Sequence, residues 1–184
     1  MLALWIVLGL VGVLLLYVIL TFNRLVRNRN RVDNAWAGID VQLRRRYDLI
    51  PNLVETVRGY ARHERKLFEE VTRARAQGIE AGDLDAQAQA ENQITRGLRQ
   101  LLAVAENYPQ LKANENFLAL QEELTATESK IAFARQFYND QVLRYNTLIQ
   151  QFPSLIVART TNHTTREFFE IEEGSRAPVD VDLA

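Results

Sequence analysis

The fold is decided by residues 2–22, which read LALWIVLGLVGVLLLYVILTF and contain no charged residue, histidine or carboxamide. At about 1.5 Å per residue, a helix of this length covers roughly 30 Å, the thickness of the hydrocarbon core of a bilayer. A single segment satisfies its own backbone hydrogen bonds in that environment only as a helix. We therefore predict that residues 1–23 form a transmembrane anchor that carries the remaining chain.

The alternative for this segment is a cleaved signal peptide. The apolar core of a signal peptide runs for roughly 7–15 residues, follows a positively charged stretch and ends at a small-residue cleavage site. This segment is longer and shows neither flanking feature, so we favour an anchor. The predicted anchor residues are apolar or aromatic: Leu4, Trp5, Leu8, Leu15, Tyr17 and Phe22. Of these, Trp5 and Tyr17 are candidates for the membrane interface.

Four arginines directly follow the apolar segment: Arg24, Arg27, Arg29 and Arg31. The positive-inside rule places such a segment in the cytoplasm, so we predict an N-terminus outside the membrane and a cytoplasmic C-terminal domain. The same arginines are candidates for binding anionic lipid headgroups. Alternatively they belong to a helix face that packs on neighbouring helices, and they would then say less about topology.

The net charge of −1 does not indicate a nucleic-acid-binding protein, and we expect membrane lipids as partners instead. The charge is uneven, because residues 24–46 contain seven arginines and two aspartates, whereas residues 105–184 contain twelve acidic and seven basic residues. Opposite charges at the two ends of the domain favour packing between copies of the chain. Cysteine is absent, which excludes disulfides and thiol chemistry.

The chain after Asn30 shows helical periodicity. Apolar residues recur every seven positions from Trp36 to Val57 and again at Val71, which predicts one long amphipathic helix ending near Gly78. Pro51 lies inside this pattern and deprives the carbonyl four residues earlier of its donor. We therefore predict a kink near residues 47–51, with a break as the less favoured alternative.

Two further helices follow. Asp83 is a predicted N-cap for the second, which ends before Pro109 and whose first half, AQAQAEN, reads as exposed or frayed. Asn114 is a predicted cap for the third, in which apolar residues recur every seven positions from Phe117 to Phe152. Long amphipathic helices joined by short connections bury their apolar faces against one another. The predicted fold is therefore all-α, a transmembrane helix continuing into an antiparallel bundle of three to four long helices.

The predicted domain boundaries follow from these patterns. The anchor covers residues 1–23, the helical bundle residues 24–158, and a partly ordered C-terminal tail residues 159–184. SLIVA, after Pro153, reads as a short additional helix, and Phe168 and Phe169 are candidates for docking on the bundle.

Two long blocks resemble the signature blocks of the LemA family: RNRVDNAWAGIDVQLRRRYDLIPNLVETVRGYARHE (residues 29–64) and YPQLKANENFLALQEELTATESKIAFARQFYNDQVLRYNTLIQQFPS (residues 108–154). The resemblance implies a single-pass protein of the bacterial inner membrane with an antiparallel helical cytoplasmic domain. It implies no known reaction, and it points to work on membrane shape or compartment assembly. The sequence after Ala158 departs from the family pattern.

Catalytic chemistry has little support in the sequence. An enzyme needs converging groups such as a nucleophile with a base, a carboxylate pair or metal ligands. His63 reads as a surface residue of a helix, and His163 lies in a threonine-rich loop. Metal-binding, phosphate-loop and nucleophile-elbow motifs are absent. We therefore predict no catalytic residue, no metal ligand and no cofactor, and we expect a protein that is not an enzyme.

Polar residues recur at helical spacing on the predicted helix faces. If the helices pack antiparallel, these rows are candidates for contacts between helices or protomers that set the register. The alternative is a solvated face with weak pairs along each helix. The candidates are Asp40, Arg44, Asp48, Asn52, Glu128, Arg135, Asn139 and Asn146. Residues 44–46 are three arginines too far from the anchor for lipid contact in an upright helix, so we expect them to meet acidic helix faces.

Two functions remain open at this point. The favoured one is a membrane scaffold that self-assembles laterally into a homo-oligomer and organises or shapes the membrane. The alternative is an adaptor or signalling module that binds another membrane or cytoplasmic protein through a helical face, which predicts a small assembly with an exposed apolar patch.

Overall fold

The computed structural model describes residues 1–170. Within this range the chain forms helices and no strand, which confirms the predicted all-α class. The end of the predicted C-terminal tail, residues 171–184, lies outside the described residues. The helices are α1 (Leu2–Arg58), α2 (Arg65–Glu80), α3 (Leu84–Glu106), α4 (Pro109–Lys112), α5 (Glu115–Gln150) and α6 (Ser154–Thr160).

The first predicted helix is too long, because α1 ends at Arg58 and a turn over residues 59–64 separates it from α2. Ala61 donates its backbone N–H to the Val57 carbonyl at 2.9 Å and is fully buried, so the turn keeps an apolar contact where helix was expected. Val71 is buried in the new helix. The seven-residue pattern therefore continues across the break, and the local signal for it is Gly59, a poor helix former.

Pro51 does not break α1, and the helix continues through it to Arg58. The carbonyl that Pro51 leaves without a donor belongs to Tyr47. Arg75 of α2 donates its Nε–H to this carbonyl at 2.7 Å. The proline thus opens an acceptor on α1 that a side chain of the packed neighbouring helix fills.

Both predicted N-caps are confirmed. The Asp83 carboxylate accepts a hydrogen bond from the Ala86 N–H at 2.7 Å, and the Asn114 side-chain oxygen accepts one from the Phe117 N–H at 3.1 Å. The exposed reading of the first half of α3 is wrong, since Gln87, Ala90 and Glu91 are buried there. SLIVA begins α6, as the pattern after Pro153 predicted.

The chain divides into two compact units, and α1 and α5 contribute to both. Among the described residues, the first unit comprises residues 1–43 and 128–168, and the second comprises residues 44–127 together with residues 169–170. The domain division made from the sequence stays a prediction.

In the first unit α1 and α5 run antiparallel, because contacts on α5 move toward lower numbers as those on α1 rise. Residues 20–31 share a groove with residues 143–151, and the Trp36 ring meets the Tyr138 ring at 5.5 Å between centroids. The core of this unit repeats every seven residues on each helix, as the sequence pattern predicts for α5. It contains Leu25, Val32, Ile39, Ile131, Tyr138 and Tyr145.

In the second unit α1 and α5 also run antiparallel, with Arg45 facing Glu123 and Asn52 sharing a cleft with Asn116. Helices α2 and α3 pack as a hairpin about the connector at residues 81–83. Their approach at Gly97 is close, since a Cβ atom there would lie 2.6 Å from Val71 Cγ2. Glycine at this position therefore allows the two helices to pack in contact.

Candidate functional site

The apolar segment of α1 lies outside the protein core except at Thr21, which is buried. Its most apolar stretch has a mean hydropathy of 2.8, and none of that stretch is buried. By length and composition, α1 is the one helix among residues 1–170 suited to crossing a membrane. A core helix of a water-soluble protein would be mostly buried, whereas Trp5 here is 72% exposed.

The predicted anchor residues occupy two settings. Leu4, Trp5, Leu8 and Leu15 are exposed, and Tyr17 is half-buried. Phe22, at the end of the segment, has an edge-on contact with the His163 ring, with 6.1 Å between centroids. The anchor therefore meets the folded body of the first unit at Phe22.

The four arginines after the anchor separate into two sets. Arg24, Arg27 and Arg31 step by three and four residues, so they share one face of α1, and all three line a groove of about 710 Å³. Arg144 of α5 lines the same groove. We call this the basic groove. Arg29 lies outside its lining, on the side of α1 where its charge acts on Tyr145.

The C-terminal part of the first unit, residues 161–168, is fastened to α1 and α5 through polar groups. Asn146 donates its side-chain N–H to the Arg166 carbonyl and accepts the Arg166 N–H, both at 2.8 Å. The Arg166 guanidinium donates to Asp33 at 3.1 Å, and the Tyr138 hydroxyl donates to the Glu167 carbonyl at 3.0 Å. We call residues 161–168 the C-terminal strap.

The two aromatic residues predicted to dock near this strap behave differently, since Phe169 is fully buried and Phe168 is exposed. Burial raises the pKa of Tyr138 above its usual value of 10.0, despite the opposing charge of Arg166. Burial also raises the pKa of Tyr145, although the positive charges of Arg29 and Arg166 act to lower it. Both effects follow from the cost of placing a tyrosinate in an apolar environment.

The second unit contains a buried polar network that the sequence did not predict. Arg46 of α1 forms an ion pair with Glu91 of α3, and their side chains are 1% and 0% exposed. The Tyr47 hydroxyl donates to the same carboxylate and accepts from Gln87 Nε2 at 2.6 Å. Gln87 also donates to Glu91 at 2.9 Å. Each charge is therefore compensated by groups of opposite character, which is the condition for burying an ion pair.

Two of the three arginines at residues 44–46, Arg45 and Arg46, meet acidic residues within the chain. Besides the buried pair of Arg46, Arg45 contacts Glu123 of α5 through Nη2 at 2.8 Å and Nε at 3.2 Å. The side chains of this second pair are 50% and 42% exposed. Neighbouring arginines of α1 thus form one buried ion pair, through Arg46, and one surface ion pair, through Arg45.

Among the other predicted polar candidates, some are exposed and the rest have interaction partners within the chain. Asp48 and Asn52 are exposed, and Asn52 accepts a hydrogen bond from Thr56 through its backbone carbonyl. Asn146 holds the C-terminal strap. The remaining candidates have interaction partners within the structure: Asp40, Arg44, Glu128, Arg135 and Asn139. Their roles between protomers stay predictions.

The histidines and acids do not converge in the part of the chain that the structure describes. Within residues 1–170, no group of three or more histidine, cysteine or acidic side chains is placed to hold a metal ion. His63 lies in the exposed turn after α1 instead of on a helix, and His163 Nδ1 lies 2.8 Å from the Thr161 hydroxyl. The described surface offers an exposed apolar helix and, beside it, a groove lined by arginines.

Sequence reasoning missed Arg144, Glu91 and Arg166. Arg144 lacks a local signal, because its place in the basic groove depends on the antiparallel register of α5 on α1. Glu91 had a weak signal, its four-residue spacing from Gln87 and its position three before the buried Ile94 on one helix face. Arg166 lies after Ala158, beyond the helical periodicity from which the other positions were predicted.

These features define a membrane-associated, all-helical protein with an exposed apolar N-terminal helix. The chain belongs to the LemA family, whose sequence model matches residues 35–183. It is 26% identical to protein LemA of Metamycoplasma hominis over 86% of this chain and 73% of that protein. It is also 22% identical to magnetosome protein MamQ 2 of Paramagnetospirillum magneticum and to magnetosome protein MamQ of Magnetospirillum gryphiswaldense, in each case over 88% of this chain and 69% of the relative. None of these names specifies a reaction.

Proposed function

We propose that the protein is a membrane-anchored helical scaffold that self-assembles laterally and organises or shapes the bacterial inner membrane. The role is non-catalytic and needs no cofactor. Its partners are membrane lipids and further copies of the same chain. The observation that carries the proposal is the exposed apolar segment of α1, which continues without interruption into the helix on which the first unit is built. Every protomer anchored in this way lies in the same plane, which confines encounters to two dimensions.

The face proposed for lateral contact is the outer side of α5 in the first unit. Phe133 and Phe137 are one helical turn apart and are 73% and 57% exposed. Exposed aromatic residues are enriched at protein interfaces because each buries a large apolar area. The predicted polar candidates nearby, Glu128, Arg135 and Asn139, already have partners within the chain. The aromatic pair is therefore the better candidate for the contact between protomers.

The comparisons support a role in organising membranes without specifying it. Relatives named as magnetosome proteins share 22% identity with this chain over most of its length. Neither the name of these relatives nor the family membership specifies a reaction, and a helical scaffold needs none.

The test is the subunit number of the full-length protein in lipid nanodiscs, counted by mass photometry and electron microscopy. We expect the wild type to form assemblies larger than a dimer, and we expect Phe133→Ser with Phe137→Ser to release protomers. The matched control is Leu118→Ser with Ile79→Ser, which removes two exposed apolar side chains from other surfaces. A wild-type protein that is monomeric at all protein densities would refute lateral self-assembly.

The same aromatic pair also favours the second candidate function, an adaptor that binds another protein through a helical face. An adaptor predicts a monomer or small oligomer in pure lipid, and Phe133→Ser with Phe137→Ser would leave that state unchanged. A scaffold predicts the opposite result in both measurements. The nanodisc experiment therefore separates the two functions.

We propose the inner membrane as the location, with the N-terminus outside and the helical units in the cytoplasm, because arginines follow the anchor. The absence of cysteine makes this testable by single-cysteine labelling in intact cells. Cysteine at Leu2 should react with a membrane-impermeant maleimide, whereas cysteine at Asn30 should not. The reverse pattern would overturn the proposed orientation.

A further inference from the structure

The basic groove of the first unit combines arginines from two helices. Arg24, Arg27 and Arg31 come from one face of α1, and Arg144 comes from α5. The residues lining the groove include no carboxylate. Four positive side chains around a space of about 710 Å³ repel one another unless an anion lies between them.

The guanidinium groups of these four arginines make no hydrogen bond or ion pair with another residue among residues 1–170. By contrast, Arg45 contacts Glu123 and Arg166 contacts Asp33. Planar guanidinium groups bind phosphate oxygens through paired N–H donors. The groove is therefore chemically suited to a phosphate group.

The position of the groove identifies the source of that phosphate. Leu20, from the apolar segment of α1, lines the same groove, together with Leu143 of α5. Phe22 is the end of the apolar segment. Arg24 follows it by two positions, or about 3 Å along the helix axis, and Arg27 by about 8 Å. Each headgroup layer of a bilayer is roughly 5–8 Å thick, so these two arginines lie at the depth of lipid phosphates.

We infer that the basic groove binds the phosphate of an anionic phospholipid, with Arg144 closing the site from α5 and Leu20 facing the acyl region. The inference rests on the proposed membrane anchoring of α1. It assigns the phosphate-binding role to Arg24, Arg27, Arg31 and Arg144, and it withdraws Arg29 from that role because Arg29 lies outside the groove.

The test measures anionic lipid that stays bound after extraction, so that diffuse attraction to the membrane does not count. Full-length protein is reconstituted with phosphatidylcholine and phosphatidylglycerol, extracted into mild detergent and weighed by native mass spectrometry. Arg144→Gln is the test variant, and Arg29→Gln is the matched control, with the same charge change at a similar depth. We expect Arg144→Gln to lower retained phosphatidylglycerol about tenfold, the loss typical of one charge-assisted hydrogen bond between a guanidinium and a phosphate. Arg29→Gln should change it less than twofold.

Three further results decide the inference. Retention by Arg27→Gln should fall as it does for Arg144→Gln, and circular dichroism should show that these exposed variants keep their helicity. Equal losses in the Arg29 and Arg144 variants would overturn the site in favour of diffuse charge. Full displacement of lipid by inorganic phosphate would overturn the lipid assignment in favour of a free-anion site. The subunit number of the same samples is read separately, so failed lateral assembly and failed lipid binding give different outcomes.

Discussion

The arginines on α1 differ between the two units. In the second unit Arg46 is buried against Glu91, and Arg75 supplies the hydrogen bond that Pro51 removes from Tyr47. In the first unit the arginines beside the anchor remain on the surface of the basic groove. A buried charge must be compensated by its own protein, whereas a charge at a membrane surface can be compensated by a ligand. The comparison teaches that burial against a partner inside the protein marks a structural arginine, whereas a binding role has to be inferred from the surface that the arginine lines.

The largest expected effect comes from breaking the buried pair of the second unit. Arg46→Met leaves Glu91 charged and buried, and we expect the free energy of unfolding to fall by about 3–5 kcal/mol. Glu91→Leu should lower the free energy of unfolding by a similar amount, because it leaves the buried Arg46 without its acidic partner. The measurement is urea unfolding of the full-length protein in detergent, followed by circular dichroism.

The control for this prediction is the double variant Arg46→Met with Glu91→Leu. Because it removes both charges, we expect it to recover most of the stability that either single variant loses. If each single variant unfolded within about 1 kcal/mol of the wild type, the ion pair would not hold the second unit together.

The next effect concerns the C-terminal strap of the first unit. Asn146→Ala removes two hydrogen bonds to the Arg166 backbone, and at about 0.5–1.5 kcal/mol per bond we expect a loss of about 1–3 kcal/mol. Amide hydrogen exchange over residues 163–168 should become faster. Asn30→Ala, at an exposed position of α1, serves as the control. Unchanged exchange in the Asn146 variant would show that the strap is held by other contacts.

Some features of the fold and of the candidate site could be predicted from the sequence, and others could not. The exposed apolar helix at the N-terminus and the two caps are local signals and were predicted correctly, because each depends on neighbouring residues alone. The turn after Arg58 was hidden because apolar residues keep the seven-residue spacing across it. Glu91 was misplaced because its burial depends on a partner 45 residues away, which hydrophobic periodicity cannot detect. Arg144 became visible only through the register of α5 on α1.

A smaller effect should follow from Tyr138→Phe, which removes the hydrogen bond to the Glu167 carbonyl and is expected to cost about 0.5–1.5 kcal/mol at neutral pH. Burial raises the pKa of Tyr138 in the folded state above its value in the unfolded chain. The contribution of this group is therefore fully present below about pH 10 and is lost as the pH rises through the folded-state pKa.

The measurement for Tyr138 is an alkaline titration of tyrosinate absorbance. The wild type should show a step above the usual tyrosine range, and Tyr138→Phe should reduce it. Tyr145→Phe provides the comparison, since burial raises the pKa of Tyr145 in the same direction. A titration step that both variants leave intact would contradict the assignment to these buried rings.

The smallest effect is expected at Arg45, the direct neighbour of Arg46, and it sharpens the comparison most. Arg45 and Glu123 are about half exposed, so water screens their attraction and each side chain loses conformational freedom in holding the contact. A double-mutant cycle with Arg45→Ala and Glu123→Ala should give a coupling of about 0.2–1 kcal/mol that declines with added salt. A salt-insensitive coupling as large as that of Arg46 and Glu91 would show that exposure does not separate the two pairs. The small coupling expected here would instead trace the difference between adjacent arginines to burial, because residue type, charge and helix are the same.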